Sequence, residues 1–367
     1  MASRDSLILR TDPARDWRQA LDAGLVGRSQ EPLNCETPPP LLDGDVTPTS
    51  RFFRRNHFPI PDLDASAWRL EIDGLVRRPL ILTFDELQQF EPQSLAAVLE
   101  CAGNGRTLFS PAVTGERWDL GAVGNATWTG ARLADVLELA GVRPEAVEVI
   151  FRGADQGTIE DSPETIAFER SLPVGEVAVS GALLAYEMNG DPLHPRHGYP
   201  VRLIVPGSYA VTAVKWLTSI TVTDRPFDGF FQTQHYVYEW PRDGHAVREP
   251  VGRQRVRALI TEPAGGDELR CGAVTVRGIA WSGDAPVTRG EVSLDGGTWQ
   301  NATLTGEPGL YGWQRWELAV RAQSAGQRSI RARATDGAGH VQPEQPEWNR
   351  LGYGGNFIHE VKVQLRD

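Results

Sequence analysis

The stretch Leu99-Glu100-Cys101-Ala102-Gly103-Asn104-Gly105-Arg106 places a cysteine in a run of small residues and follows it, five positions on, with an arginine. Glycine at 103 and 105 lets the backbone approach a ligand closely and take angles closed to other residues. The apolar residues from Leu95 to Leu99 read as a short strand or a buried turn, and either one delivers Cys101 at its carboxyl end. A lone cysteine is ordinarily an inert buried residue. The cation beside this one changes that reading, because an arginine stabilises a thiolate or gathers an anion, and the thiolate is the form that binds soft metals.

Composition narrows the partners. The 367 residues are enough for two domains, each burying its own core. With 37 Lys and Arg against 48 Asp and Glu, the net charge of -11 argues against a nucleic-acid partner, and an anion handled by so acidic a chain needs a local concentration of arginine. No apolar run approaches the ~20 residues of a membrane span, so no membrane partner is expected. Cys35, Cys101 and Cys271 are widely spaced with no CxxC pair, which speaks against a disulfide framework or structural zinc. No CxxCH occurs, so no c-type haem is expected. Met1 to Arg10 has no apolar core of a leader, and the Arg54-Arg55 pair precedes Asn56-His57-Phe58-Pro59 rather than an apolar segment. The chain as it stands is expected in the cytoplasm, or in the periplasm if a leader has been removed.

Residues 1–48 are rich in Pro and Asp, with Pro38-Pro39-Pro40 among them, and read as an extended arm with little structure of its own. A basic, aromatic segment, Arg51-Phe52-Phe53-Arg54-Arg55-Asn56-His57-Phe58, follows. Trp68 to Leu75 alternates like a strand, and Thr83 with Glu86 three residues on marks the start of a short helix. Leu133, Val136, Leu137 and Ala140 share one face of a second helix, which Gly141 ends. Val147 to Phe151 is a β-branched run leading into the polar segment Arg152 to Gly157, a loop in which Asp155 reads as a turn cap. His194 and His197 have a ligand-like spacing but no matching third ligand. Arg202 interrupts the apolar strand Val201 to Val205; such a cation belongs at an edge or faces inward against an anion. Lys215 poses the same choice, and both suit a phosphate. Beyond Trp240, short alternating runs punctuated by Asp-Gly turns imply a β-sandwich serving packing and association.

Several of these segments occur in an order that resembles the sulfite oxidase family across nearly the whole chain. They include Arg55-Asn56-His57, Cys101-Ala102-Gly103-Asn104 with Arg106, Leu184-Ala185-Tyr186-Glu187-Met188-Asn189-Gly190, His197-Gly198-Tyr199-Pro200-Val201-Arg202, Val214-Lys215-Trp216 and Ser293-Leu294-Asp295-Gly296-Gly297. The resemblance implies an α+β chain in three parts: the arm at 1–48, a mixed α/β molybdopterin domain of the sulfite oxidase type at 49–240, and an all-β immunoglobulin-like dimerisation sandwich at 241–367. It implies that Cys101 gives a thiolate to molybdenum, whose other sulfurs come from molybdopterin. Asn56, His57, Asp155, His197, Arg202 and Lys215 match positions that hold the pterin and its phosphate, and Arg55, Arg106, Trp118 and Tyr236 match the substrate pocket. The resemblance implies a member built only of the molybdenum and sandwich domains, with no haem in this chain. The implied reaction is oxidation of sulfite to sulfate by oxygen-atom transfer, with electrons passing to an external acceptor, cytochrome c or dioxygen, in a chain that forms homodimers. Nitrate or a protein-bound sulfur species are alternative substrates of the same scaffold, and a cofactor-free anion-binding module is the reading from another class.

The residue types suit the task. Two arginines bind an oxyanion and stay protonated throughout, and Tyr236 is a donor that adds no charge. The chain also departs from the family. Gly105 stands where many members have a second arginine, and Thr114 replaces a basic residue. A pocket arginine expected at Leu351 is found one position early, at Arg350. Neighbouring side chains on an extended segment point opposite ways, so the pocket is expected to be less basic than in sulfite-specialised members.

Overall fold

The strand that carries Cys101 runs from Pro92 to Glu100 and pairs antiparallel with Val123–Arg132, from Pro92 opposite Ala131 to Glu100 opposite Val123. Its last four residues, Ala97 to Glu100, are all buried, so the cysteine leaves the sheet already inside the molecule. In the computed structural model, which describes residues 12–159, 162–242, 245–307, 309–322 and 324–367, this strand is the edge of a five-stranded sheet. Beyond Val123–Arg132 lies Leu183–Met188, which pairs with both Asp191–Pro192 and Arg202–Ile204.

A second five-stranded sheet has the order Leu80–Thr83, Arg69–Gly74, Leu217–Thr223, Glu148–Ile159, Ser162–Pro173. Leu70, Ile72, Val149 and Ile220 from this sheet share one core with Ala131, Leu184 and Leu203 from the first. The helix Leu133–Ala140 adds Leu133, Val136, Leu137 and Ala140 to that core, and ends where Gly141, at φ +72°, donates its N–H to the Leu137 and Glu138 carbonyls. The expected capping box also forms: Thr83 Oγ1 accepts the Glu86 N–H and Glu86 accepts the Thr83 N–H. No helix among the described residues is long and apolar enough to cross a membrane.

Two expectations are corrected. The arm has structure of its own: a helix at Pro13–Asp22, a hairpin of Val26–Ser29 with Asn34–Glu36, and a 3-10 turn at Pro39–Leu41. Asp12 caps the Ala14 and Arg15 N–H groups with Pro13 in the first turn, and Ala20, Leu25, Leu33 and Cys35 bury together beneath the helix. The proline count masked this cap. Met1 to Arg10 lies outside the described residues. Arg152 to Gly157 is likewise no loop but the middle of the strand Glu148–Ile159, and the register against Ser162–Pro173 shifts between Arg152 and Gln156. The inward phase of the strand nevertheless runs on through Val149, Phe151, Gly153 and Asp155. Asp155 is turned inward and is 5% exposed.

The C-terminal half is an eight-stranded sheet in the order Arg257–Glu262, Gly272–Trp281, Gln314–Ala322, Gln300–Thr305, Val287–Leu294, Gly326–Asp336, His359–Arg366, Glu268–Arg270. It curls so that Arg257–Glu262 packs against Gly326–Asp336 and His359–Arg366 from the far end, as in an immunoglobulin-like sandwich. Strict alternation in His359–Arg366 puts Val361, Val363 and Leu365 into the core formed with Ala258, Ile260, Val292 and Trp316.

That core contains one buried imidazole. His359 accepts the Ile260 N–H at Nδ1 (2.9 Å), and burial, helped by Arg257, pushes its pKa down to about 4. A histidine depressed in the fold contributes stability above its unfolded value of about 6.5 and loses it as pH falls toward the folded value. His359→Asn, whose amide oxygen can take the Ile260 N–H, is therefore expected to remove about 2–3 kcal/mol of the stability lost between pH 7.5 and 4.5. Urea unfolding at the two pH values checks this; an unchanged difference would remove His359 from the acid response.

Candidate cofactor and substrate site

Two cavities meet at Arg55, His57, Cys101 and Tyr236. The larger, of about 690 Å³, extends from them past Asn56, Asp155, Arg196, His197, Arg202 and Lys215, with Phe52, Phe53 and Phe168 as apolar walls. The smaller, of about 430 Å³, is completed by Arg106, Thr114, Glu116, His235, Leu351 and Tyr353. Cys101 is 4% exposed at the junction. Its N–H is held by the Ala122 carbonyl (2.8 Å), and its own carbonyl accepts the Asn104 N–H (2.9 Å). Burial pushes the thiol pKa up, and Arg55 and Arg106 work in the opposite direction.

The loop then turns through Gly105 at φ +83°. A Cβ there would lie 2.5 Å from Arg257 Nη2 and 2.9 Å from the Gly355 carbonyl, so no arginine fits at this position. Arg106 follows, with Nε and Nη2 donating to the Leu351 carbonyl (3.2 and 3.0 Å) and Nη1 to the Glu116 carbonyl (3.0 Å). Its guanidinium also sits 4.9 Å from the Tyr353 ring centre. Arg350 points away: it forms an exposed ion pair with Glu239, with Nε 2.5 Å from Oε1. Thr114 and Leu351 line the smaller cavity, which among its lining residues has Arg55 and Arg106 as cations and Glu116 as an opposing carboxylate.

Arg55 Nη2 lies 2.9 Å from His57 Nε2, and the same ring nitrogen meets the Tyr236 hydroxyl at 2.7 Å. Burial, then Arg55 and His235, hold the His57 pKa well below its ordinary value, so the ring is neutral. With Nδ1 accepting from Arg55 Nη2 (3.1 Å), a neutral imidazole can donate from Nε2 to the phenolic oxygen, leaving the phenolic hydrogen for the junction. Tyr236 has its own pKa raised by burial and remains protonated. Burial opposes the charge on Arg55, but Tyr236, Cys101, Tyr353 and Glu116 outweigh it and raise its pKa.

In the larger cavity, Lys215 Nζ donates to the Arg55 carbonyl (3.0 Å) and to Asn56 Oδ1, while Asn56 Nδ2 donates to the Leu33 carbonyl (2.7 Å). Arg202 donates to the His197 carbonyl (2.9 Å) and the Ala213 carbonyl (3.1 Å) with its guanidinium 5.0 Å from the Trp128 ring. His197 Nε2 faces the Thr49 carbonyl at 3.2 Å. His194, by contrast, bonds Arg196 and does not join the lining. Burial raises the Asp155 pKa to about 7, with Lys215 opposing, and depresses Lys215, Arg202 and His197.

Trp118 stands apart from the other predicted site residues. It is fully buried in the apolar cluster of Cys101 and Leu99 and lines neither cavity. Arg54, Arg196, His235 and Tyr353 line the cavities without having been singled out from sequence. The first three adjoin residues that were, so their signal was proximity alone; Tyr353 lies in the half read as a packing domain.

The larger cavity passes a test for a polar, anionic ligand. Asp155 Oδ1, Arg202 Nε and Arg54 Nε are buried beside it without a hydrogen-bond partner, and such groups are costly unless something satisfies them. A soft thiol at one end and several buried cations along its length suit a thiolate-bound metal on a phosphorylated organic group.

Residues 57–231 match the family model described as oxidoreductase molybdopterin binding domain, and residues 249–366 match the Mo-co oxidoreductase dimerisation domain. The chain is 33% identical over 371 residues to the sulfite oxidase of Arabidopsis thaliana, an alignment covering 92% of this chain and 93% of that one. The chain belongs to the sulfite oxidase family. Against the mitochondrial sulfite oxidase of Mus musculus, identity is 37% over 359 residues, covering 92% of this chain and 65% of that protein. This family member therefore spans about two thirds of the length of its mouse relative. Its fold also matches the crystal structure of the sulfane dehydrogenase SoxCD from Paracoccus pantotrophus, with a TM-score of 0.82 and 28% identity over 99% of this chain and 92% of that one.

Proposed function

We propose that this protein oxidises sulfite to sulfate at a molybdopterin centre and passes the electrons to an external acceptor, cytochrome c or dioxygen, as a homodimer associating through residues 241–367. The observation that carries the reading is the junction of the two cavities at Cys101, with Asp155, His197, Arg202 and Lys215 gathered on one side and two guanidinium groups on the other. Molybdopterin, when bound, supplies the oxygen-atom transfer and the redox change. The chain's residues supply the rest. Cys101 gives its thiolate to the metal, and Asn56, His57, Asp155, His197, Arg202 and Lys215 hold the pterin and its phosphate. Arg55 and Arg106 draw the anion into the smaller cavity. Tyr236, its oxygen held by His57 Nε2, donates its phenolic hydrogen to the substrate or product without adding charge, and Trp118 supports the Cys101 loop from behind.

Glu116 tunes this pocket. Its carboxylate accepts from Asn34 Nδ2 (3.2 Å) and supports the charge on Arg55, so it opposes an incoming anion. Glu116→Gln keeps an acceptor for Asn34 and removes the negative charge; the KM for sulfite is expected to fall about two- to fivefold with kcat little changed. Michaelis curves check this, and a raised KM would contradict it.

A second reading, oxidation of a protein-bound sulfur species, is favoured by the modest basicity of this cavity and by the likeness to the sulfane dehydrogenase SoxCD. Parallel assays with ferricyanide as acceptor decide between them. Sulfite turnover well above that with a persulfide-bearing peptide supports the first reading, and the reverse order overturns it.

A further inference from the structure

The C-terminal sheet does more than associate chains. We propose that Arg257, on its strand Arg257–Glu262, is a positioning residue for Cys101: through Glu100 and Asn104 it fixes the loop that holds the thiol at the junction of the two cavities. This rests on reading Cys101 as the metal thiolate.

Arg257 is 1% exposed and reaches out of its own sheet into the cysteine loop. Its Nη1 lies 2.5 Å from Glu100 Oε1, in the residue just before Cys101, and also donates to the Asn104 carbonyl (3.3 Å). Nη2 donates to the Gly355 carbonyl (2.8 Å). Glu100 is held from other directions as well: Asn104 Nδ2 donates to Oε1 (3.1 Å) and Trp281 Nε1 to Oε2 (2.9 Å). Asn104 Oδ1 accepts the Ala122 N–H (3.1 Å), and the Ala122 carbonyl accepts the Cys101 N–H (2.8 Å). The chain of contacts therefore closes on the cysteine itself.

Two further bonds from the same half brace the segment. Gln254 Nε2 donates to the Val98 carbonyl (2.9 Å), and the Gly354 N–H to the Ala102 carbonyl (2.8 Å). A loop with glycine at 103 and 105 has little stiffness of its own, whereas a metal ligand must be held within about 0.5 Å of its productive place. The stiffness is imported. A buried carboxylate left without its guanidinium partner draws donors from elsewhere, and without that carboxylate the guanidinium no longer holds the residue before Cys101, so loss of either member frees the loop.

The test uses the full-length protein as purified, with its molybdenum quantified. Iodoacetamide labelling of Cys101 is followed by peptide mass, and Cys35, also buried, is the internal control. Arg257→Gln and Glu100→Gln are each expected to speed Cys101 labelling at least about fivefold and to lower retained molybdenum, with Cys35 labelling unchanged. The double variant Glu100→Gln with Arg257→Gln is expected to label Cys101 within about twofold of the faster single variant, because both substitutions break the same contact. Should a single variant not fold, Trp281→Phe, which removes one donor to Glu100, carries the test and is expected to speed Cys101 labelling to a smaller extent. Unchanged Cys101 labelling, equal acceleration of Cys101 and Cys35, or a double variant whose acceleration is the product of the two singles would overturn the proposal. Selective Cys101 release in a protein that turns over no sulfite would leave the positioning role standing and remove only the substrate reading.

Discussion

Cys101→Ser is expected to lower sulfite turnover by at least about a thousandfold, equivalent to roughly 4 kcal/mol of barrier, while the protein stays folded. The two halves of this expectation have separate causes. The side chain is 4% exposed among Leu99, Trp118 and Phe52, and sulfur to oxygen is a small change in volume, so stability should move by about 1 kcal/mol or less. The chemistry is another matter. Burial already works against ionisation of the thiol, and Arg55 and Arg106 counter that effect for a group whose ordinary pKa is near 8.5. A serine hydroxyl stays protonated beside the same two cations and is a hard donor, so the metal loses its protein ligand. Turnover per molybdenum, measured beside a thermal unfolding curve, checks both halves. Undiminished sulfite oxidation in the variant would remove Cys101 from the reaction.

Arg55→Gln carries the second largest effect, and it falls mainly on binding. Charge-assisted hydrogen bonds contribute about 1.5–3 kcal/mol, so the KM for sulfite is expected to rise about 10- to 150-fold. Arg106 cannot compensate fully, because its nitrogens already donate to the Leu351 and Glu116 carbonyls, and Arg350, occupied with Glu239, lies outside the cavity. Gly105 has no room for an arginine while Arg257 occupies that space. The pocket thus depends heavily on Arg55. Substrate-saturation curves for the variant decide the matter, and an unchanged KM would take Arg55 out of the pocket.

The parts of this molecule that were legible in sequence are those encoded locally. Thr83 with Glu86, the helical face of Leu133, Val136 and Leu137, and the Asp295-Gly296 hairpin between Val287–Leu294 and Gln300–Thr305 each carry their signal within a few residues. So does the cysteine loop, whose small residues precede an arginine. The illegible parts lie where a local signal misleads or where distance along the chain decides. Asp155 faces inward in phase with Val149, Phe151 and Gly153, but the glycines and polar residues of Arg152 to Gly157 read as a loop and hid the continuing strand. The arm's helix is signalled by Asp12-Pro13, but the triple proline further on dominated the reading.

The longest separation is between the loop and the residues that hold it. Arg106 is fastened to the carbonyl of Leu351, 245 residues on, and Glu100 to Arg257, 157 residues on. Tyr353 reaches the smaller cavity from the same distant half. An alternating strand pattern correctly implies a sandwich, yet it carries no trace of which residues at the sandwich edge face a neighbouring site. The division of labour between a catalytic half and an associating half is therefore less sharp in the structure than in the sequence.

The central claim is that a molybdenum centre anchored at Cys101 oxidises sulfite. Its most direct test is sulfite-dependent reduction of ferricyanide across preparations of differing molybdenum content. The account predicts a rate per chain that rises in proportion to molybdenum and extrapolates to zero without it. Full molybdenum occupancy with no sulfite-dependent reduction, or reduction independent of molybdenum, would contradict it.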